Sequence, residues 1–276
     1  MRANRLLAVT VLSALGVTGL TACGSDGTKK GDAAPTAATT ATATSATASA
    51  AASKSAAGGG LEALSVEQIL DRMRAANAKL KSVKADFQVQ DSDGDISGDV
   101  ASDSAGNCAG TIAIKDKGKA QILRTGGKVW LKPDADFIKV VVPGANTSVT
   151  NLIAGKWLTS SKTGDLADGF GEFCDMSLQL LKKAALNDDG TPENDGTKAG
   201  TKQVGGVEAV VLRVKSKESG DPLEVAIANE GEAHLLSMVS GETGSMQFSD
   251  FDKPVQAAVP AADQIIDLDA LKTAAG

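Results

Sequence analysis

Three cysteines and a single histidine carry most of the reactive side-chain chemistry of this chain, and tyrosine is absent. A thiol can accept an acyl group, close a disulfide, bind a metal or act as a nucleophile. A Ser-His-Asp set would have to recruit His234. That residue opens the run His234-Leu235-Leu236-Ser237-Met238-Val239, which reads as a strand, so an imidazole on a sheet surface is the simpler reading. No Gly-x-Ser-x-Gly elbow is present. Carboxylates offer metal or acid-base chemistry. Asp91-Ser92-Asp93-Gly94-Asp95 starts like a calcium loop, but its sixth position is Ile96 where glycine is needed and its twelfth is Ser102 where glutamate is needed. It reads better as a hairpin turn with solvated acids. Asp188, Asp189, Glu193 and Asp195 form a second acidic cluster with no metal-ligand spacing. Paired carboxylates for glycoside hydrolysis are not singled out. Asn146-Thr147-Ser148 matches a glycosylation sequon, a short motif that recurs by chance. Neither a metal nor a cofactor site emerges.

Cys23 has the most defined context. A short basic head, Arg2 and Arg5, precedes an apolar run from Leu6 to Leu20 that includes Ser13, Gly16, Thr18 and Gly19. Leu20-Thr21-Ala22-Cys23 closes it. This layout is that of a secretory signal peptide over residues 1–22. Its ending resembles a bacterial lipobox, in which the cysteine is acylated and becomes the first residue of the mature protein. An uncleaved anchor is the alternative, but a span needs about 20 mostly apolar residues. Ordinary secretion with Cys23 incidental is the other alternative. The resemblance implies a protein held by acylated Cys23 on the extracytoplasmic face of the cell membrane, since two acyl chains anchor firmly where one does not.

Cys108 and Cys174 then remain as an even pair in an oxidising compartment, and a disulfide is the natural reading. Closing that loop stabilises a fold by roughly 4 kcal/mol on the chain-entropy model. Two buried free thiols or a metal pair are the alternatives, though the lone histidine supplies no ligand set.

Charge and composition narrow the partners. Formal charge is −6, and residues 1–22 hold only Arg2 and Arg5, so their removal leaves −8. Nucleic acid is disfavoured, because neutralising phosphates needs a basic surface. Residues 23–60 comprise Cys23 and a segment that is nearly all Ala, Thr, Ser and Gly from Ala33 onward. Nothing there can build a core, so a disordered tether is expected. As a coil, about 37 residues reach roughly 35 Å.

Residues 61–276 suffice for one domain. Ser65 and Gln68 have the spacing of a capping box, and Val66, Ile69, Leu70, Met73, Ala76 and Leu80 recur at helical spacing behind it. Short strands follow at 83–89, 95–103, 109–115, 119–124, 128–132 and 137–142, punctuated by Asp93-Gly94, Gly106, Gly118 and Gly126-Gly127. A helix capped by Asp175 is expected, with Met176, Leu178, Leu181, Ala184 and Ala185 on its apolar face. Residues 187–200 read as a polar loop. A second meander covers 207–215, 223–229, 233–240 and 245–251, and the tail carries Ile265-Ile266, Leu268 and Leu271, expected to pack back on the domain. The fold class is α+β: a strongly curved antiparallel β half-barrel with helices packed on its concave side.

One parity of these strands collects Phe87, Val89, Ile112, Ile114, Ile122, Val129, Leu131, Val210, Leu212, Val225, Ile227, Met246 and Phe248. They would line the concave face, as a filled core or as a cavity for an apolar ligand. Phe87, Ile114, Leu131, Leu212 and Ile227, inward and mid-sheet, are the candidate ligand-binding residues.

Phe248-Ser249-Asp250-Phe251-Asp252-Lys253-Pro254-Val255, followed by Pro260-Ala261-Ala262-Asp263, resembles the C-terminal signature of actinobacterial lipoproteins of the LppX and LprG type. The Ser65–Leu80 helix, Ser82-Val83-Lys84, Gly126-Gly127-Lys128-Val129-Trp130-Leu131 and Gly205-Gly206-Val207 are also similar to that family. The resemblance implies a LolA-like half-barrel that binds or shuttles lipids or lipoglycans in the cell envelope. It carries over no catalytic residue, so an enzyme is not expected. A half-barrel with a filled core that binds a polypeptide partner is the competing function.

Overall fold

The protein is described by a computed structural model over residues 60–90, 94–142, 144–160, 167–186, 195–215, 222–241 and 244–270. The signal segment, Cys23, most of the tether, Asp91–Asp93, Asp188, Asp189, Glu193 and Leu271 lie outside the described residues.

Helix α1, Val66–Asn77, begins where the sequence requires. The Ser65 hydroxyl accepts the Gln68 N–H, and the Gln68 side chain accepts the Ser65 N–H. The box satisfies N–H groups that have no partner inside the helix. Its stripe of Ile69, Leu70, Met73 and Ala76 is buried.

The strands are β1 Ser82–Val89, β2 Ile96–Asp103, β3 Cys108–Ile114, β4 Gly118–Thr125, β5 Lys128–Pro133, β6 Trp157–Thr159, β7 Thr197–Val204, β8 Val207–Lys215, β9 Pro222–Ala228, β10 Leu235–Ser240, β11 Gly244–Ser249 and β12 Ile265–Asp267. They form one sheet in the order β12-β6-β5-β4-β3-β2-β1-β11-β10-β9-β8-β7. Each meander pairs its strands in sequence, and β1 and β11 join the two antiparallel. The tail returns as β12, pairing parallel with β6. β7 and β12 remain as edges, so the sheet is an open half-barrel.

Three further helices follow: α2 Ile138–Val141, α3 Thr147–Ile153 and α4 Ala167–Lys183. α4 packs on β1, β2, β4, β5 and α1, and the sheet curves around it. Two buried clusters fill the concave side. One joins α1 and the end of α4 to Val210, Leu212, Val225, Ile227 and Phe248. The other joins Phe87, Ile112, Ile122 and Leu131 to Phe137, Ile138, Ile153, Leu158 and Cys174. Met246 packs against both. Among the described residues, every buried cluster and every strand pair falls within residues 61–268.

A disulfide and side-chain hydrogen bonds hold α4 to the sheet. Cys108 and Cys174 form a disulfide. The Arg124 guanidinium grips both Asp175 oxygens. The hydroxyls of Ser102 and Ser177, both buried, lie 3.0 Å apart.

Four local expectations are corrected. Residues 137–142 are not a strand: the Asp134 carboxylate accepts the N–H groups of Asp136 and Phe137, which starts a helical turn and drops Phe137 and Ile138 into the core. Asp175 does not cap a helix but sits well inside α4, where its carboxylate serves Arg124. The loop expected over 187–200 ends early, because β7 begins at Thr197. His234 lies just before β10 rather than in it.

Candidate functional site

The strand registers sort the inward residues into rows that cross the sheet from β8 to β4. One row runs Val210, Ile227, Leu235 on one side and Phe248, Ala85, Val100, Gly110, Ile122 on the other. The next runs Leu212, Val225, Met238, Met246, Phe87, Gly98, Ile112 and Ala120. The last runs Val214, Leu223, Ser240, Gly244, Val89, Ile96, Ile114 and Gly118. The first two rows are largely buried, whereas the last is half-buried to exposed. The concave face therefore closes toward one rim and opens at the other.

An apolar cleft lies at that open rim. It has a volume of about 370 Å³ and is walled by Leu70 and Met73 of α1, Leu180 and Ala184 from the end of α4, and Val214, Leu223, Val225, Leu235 and Met238 of the sheet. Lys183, Lys215 and Asp195 supply its charged margin. The volume sits at the small end of the range for ligand pockets, roughly 300–1,000 Å³. A wider hollow of about 540 Å³ lies at the same rim among Gln88, Val89, Asp95, Ile96, Ile114 and Lys115. Chemically the cleft can remove an apolar chain from water, at about 25 cal/mol per Å².

The five sequence candidates divide between the two clusters. Leu212 and Ile227 are fully buried in the cluster that contains the cleft-lining Leu70, Met73, Val225 and Leu235. They stand behind the cleft rather than in its wall. Phe87 and Leu131 are buried in the other cluster, where Phe87 stacks on Phe173 with ring centroids 6.1 Å apart. Ile114 is half-buried and borders the wider hollow. Leu223, Met238 and Leu180 were not singled out from sequence. The usable signal was parity: Leu223 and Met238 share a face with Val225.

The reactive groups lie elsewhere. His234 stacks on Phe251 at 4.4 Å, and its Nδ1 is 3.4 Å from the Asn77 side-chain oxygen. Burial lowers its pKa, against the opposing pull of Glu232 and Asp252. A ring and an amide hold it, which is a packing role. Arg124 lowers the pKa of Asp175, chiefly through their hydrogen bonds. Asn146 of the sequon caps α3, its side-chain oxygen accepting the Val149 N–H. Among the described residues, no three His, Cys, Asp or Glu side chains gather in a way that could hold a metal ion.

The fold and site together define an open antiparallel half-barrel with helices on its concave side and an apolar cleft at one rim. No protein-family model and no curated protein matches the chain. Among solved structures it is similar to LprF from Mycobacterium bovis, at 16% identity and a TM-score of 0.47, over 74% of this chain and 100% of that one. It is similar to the MucA/MucB complex of Pseudomonas aeruginosa at 13% identity and a TM-score of 0.29, over 72% of this chain and 59% of that one. A LolA superfamily protein from Nitrosomonas europaea is similar at 10% identity and a TM-score of 0.22, over 71% of this chain and 96% of that one. These likenesses concern architecture and transfer no ligand or residue role.

Proposed function

We propose that the chain is a lipoprotein anchored by acylated Cys23 to the extracytoplasmic face of the cell membrane, and that its half-barrel binds or shuttles a lipid or lipoglycan. The observation that carries this reading is the cleft at the open rim, walled by Leu70, Met73, Leu180, Leu223, Leu235 and Met238. An acyl chain is the ligand that such a wall suits, because it asks for apolar area and no hydrogen bonds. Lys183 and Lys215 stand at the margin, where a polar head would remain in water. Leu212 and Ile227 give the cleft a rigid back. This reading makes the function binding, with His234 in a packing role against Phe251 and Asp175 attaching α4 through Arg124.

A second reading keeps the anchor but makes the ligand a polypeptide. The complete burial of Leu131, Leu212 and Ile227 favours it, because a filled mid-sheet leaves less room for lipid.

The test titrates residues 24–276 with a long-chain acyl fluorophore whose emission rises in apolar surroundings. Wild-type protein should give a saturable rise, and Leu223→Trp, which fills the cleft, should abolish it at unchanged thermal stability. An equal response from both proteins, or none from wild type, would favour the polypeptide reading. Cys23→Ala in the full chain should move the protein out of the membrane fraction, and unchanged retention would remove the anchor from the proposal.

A further inference from the structure

We propose that the ligand of the rim cleft is a single acyl chain ending in an anionic group, a carboxylate or a phosphate, selected by Lys183 and Lys215; this rests on the acyl-binding reading above and narrows its ligand to one class. The interior leaves room for one chain. The cleft, at about 370 Å³, lies at the small end of the range for ligand pockets, roughly 300–1,000 Å³. Behind it the space is taken: Leu181, Leu212 and Ile227 are each 0% exposed within one packed cluster. The wider hollow at the same rim does not suit a second chain. Its lining holds Gln88, Gln90, Ser97, Ser245 and the ion pair of Asp95 with Lys115. An acyl chain laid there would take those groups out of water and give them no hydrogen bond in return.

The mouth of the cleft carries more cations than acids, in a chain whose formal charge is −6. Lys183 comes from the last turn of α4 and Lys215 ends β8, so two separate elements bring an ammonium group to one opening. Both side chains are exposed, and among the described residues neither ammonium has an ion-pair partner. Asp195 is the one acid in the cleft lining, and it pairs with neither. A lysine in the last turn of a helix can serve the negative end of that helix. Arg74 already meets that end of α4: its Nη1 donates to the Ala185 carbonyl at 3.2 Å, and its Nη2 pairs with Asp71. The helix end does not account for Lys215, which lies on a strand.

An amphiphile with one chain and one negative group satisfies both halves of this site. Leu70, Met73, Leu180, Leu223, Leu235 and Met238 take the chain out of water. The head stays hydrated at the open mouth and meets the two ammonium groups without the cost of burying a charge. Lysine stems can lie along the apolar margin while their charged ends remain in water. Because the charges are exposed, their contribution is about fivefold in affinity at low salt, and it falls as salt rises. A fatty acid and a lysophospholipid share this chemistry. A two-chain lipid and an uncharged monoacylglycerol each lack half of it.

The test uses the chain carrying Cys23→Ala, freed of bound lipid, and follows displacement of an uncharged acyl fluorophore at low salt. The competitors all carry decanoyl chains and are kept below their micelle concentrations. Decanoate and decanoyl lysophosphatidylglycerol should displace the fluorophore at concentrations about fivefold lower than monodecanoylglycerol. Lys183→Gln with Lys215→Gln should bring charged and uncharged competitors to within about twofold of each other. Lys79→Gln with Lys128→Gln, at exposed lysines outside the cleft lining, should keep the preference. Didecanoylphosphatidylglycerol should bind no tighter than its lyso form, because its second chain finds no wall. Decanoate ahead of the lysophospholipid identifies a fatty acid as the source of the charge, and the reverse order a phosphate head; either supports the proposal. Equal displacement by monodecanoylglycerol and the anions, a preference that survives loss of both cleft lysines, or a much tighter two-chain lipid would overturn it and leave acyl binding standing. If neither the fluorophore nor any competitor binds, the acyl-binding reading itself fails, and this proposal with it.

Discussion

Removing the link between Cys108 and Cys174 should weaken the fold by an amount that follows from chain length. The two residues are 66 apart in sequence, and both are almost completely buried. On the chain-entropy model, a loop of that size removes about 15 cal/mol/K from the unfolded ensemble, or about 4 kcal/mol at 25 °C. For a domain of roughly 200 residues each kcal/mol moves the midpoint by about 2–4 °C. Cys108→Ala with Cys174→Ala should therefore lower Tm by about 8–16 °C. The folded variant should keep its sheet, because the Arg124–Asp175 pair and the Ser102–Ser177 contact still hold α4. The assay is thermal unfolding by circular dichroism on wild type and the double variant, with peptide mapping to establish the linkage in wild type. A fall of less than about 3 °C would refute the reasoning. It would mean that packing and the ion pair already fix α4 and that the disulfide constrains little. Labelling of both native thiols would refute it more simply.

Two further outcomes follow from the core and from the ion pair. Leu212→Trp, at a fully buried position in a filled cluster, should destabilise by roughly 1–3 kcal/mol in urea unfolding; a variant of wild-type stability would show unfilled space behind the cleft. Asp175→Asn should cost about 1 kcal/mol, because Asp175 is 47% exposed and solvent screens the pair. Since Arg124 lowers the folded pKa of Asp175, the pair contributes fully above the ordinary value of 3.8 and is lost as pH falls through the lowered folded value. Wild type and variant should therefore converge in stability at strongly acidic pH, and a gap that widened there would contradict the assignment.

Much of the fold was legible because each signal was local. The capping box at Ser65 and Gln68 needs only four residues to read. The hairpins of both meanders are punctuated by glycines at turns, as at Gly126-Gly127, where φ is positive at both. The elements that escaped depend on distant partners. β-branched residues at 138–142 favour a strand, but Asp134 supplies a helical start and Gly118 leaves room for it. Asp175 looks like a cap because caps and ion-paired acids share a residue type, and its partner Arg124 is 51 residues away. β7 is exposed along most of its length as an edge strand, so it lacks the alternation that marks a half-buried one. β12 pairs in parallel with a three-residue strand, which no short-range pattern announces.

The site was half legible for a similar reason. Parity placed Phe87, Leu131, Leu212 and Ile227 on the concave side, where they are buried. Parity does not say how far the helices reach along each strand. α1 and α4 cover the middle rows and stop short of the rim, so the opening falls at Leu223 and Met238. Helix coverage is a tertiary property, and no spacing along the chain encodes it directly.

The central claim is that the rim cleft holds an acyl-bearing ligand. Mass spectrometry of lipid extracted from the Cys23→Ala protein, purified from its native host, tests it most directly. The account predicts one class of acyl-bearing molecule in near-stoichiometric amount, lost when Leu223→Trp is added to the same background. A folded protein that carries no acyl-bearing molecule, or one whose lipid survives Leu223→Trp unchanged, would contradict it.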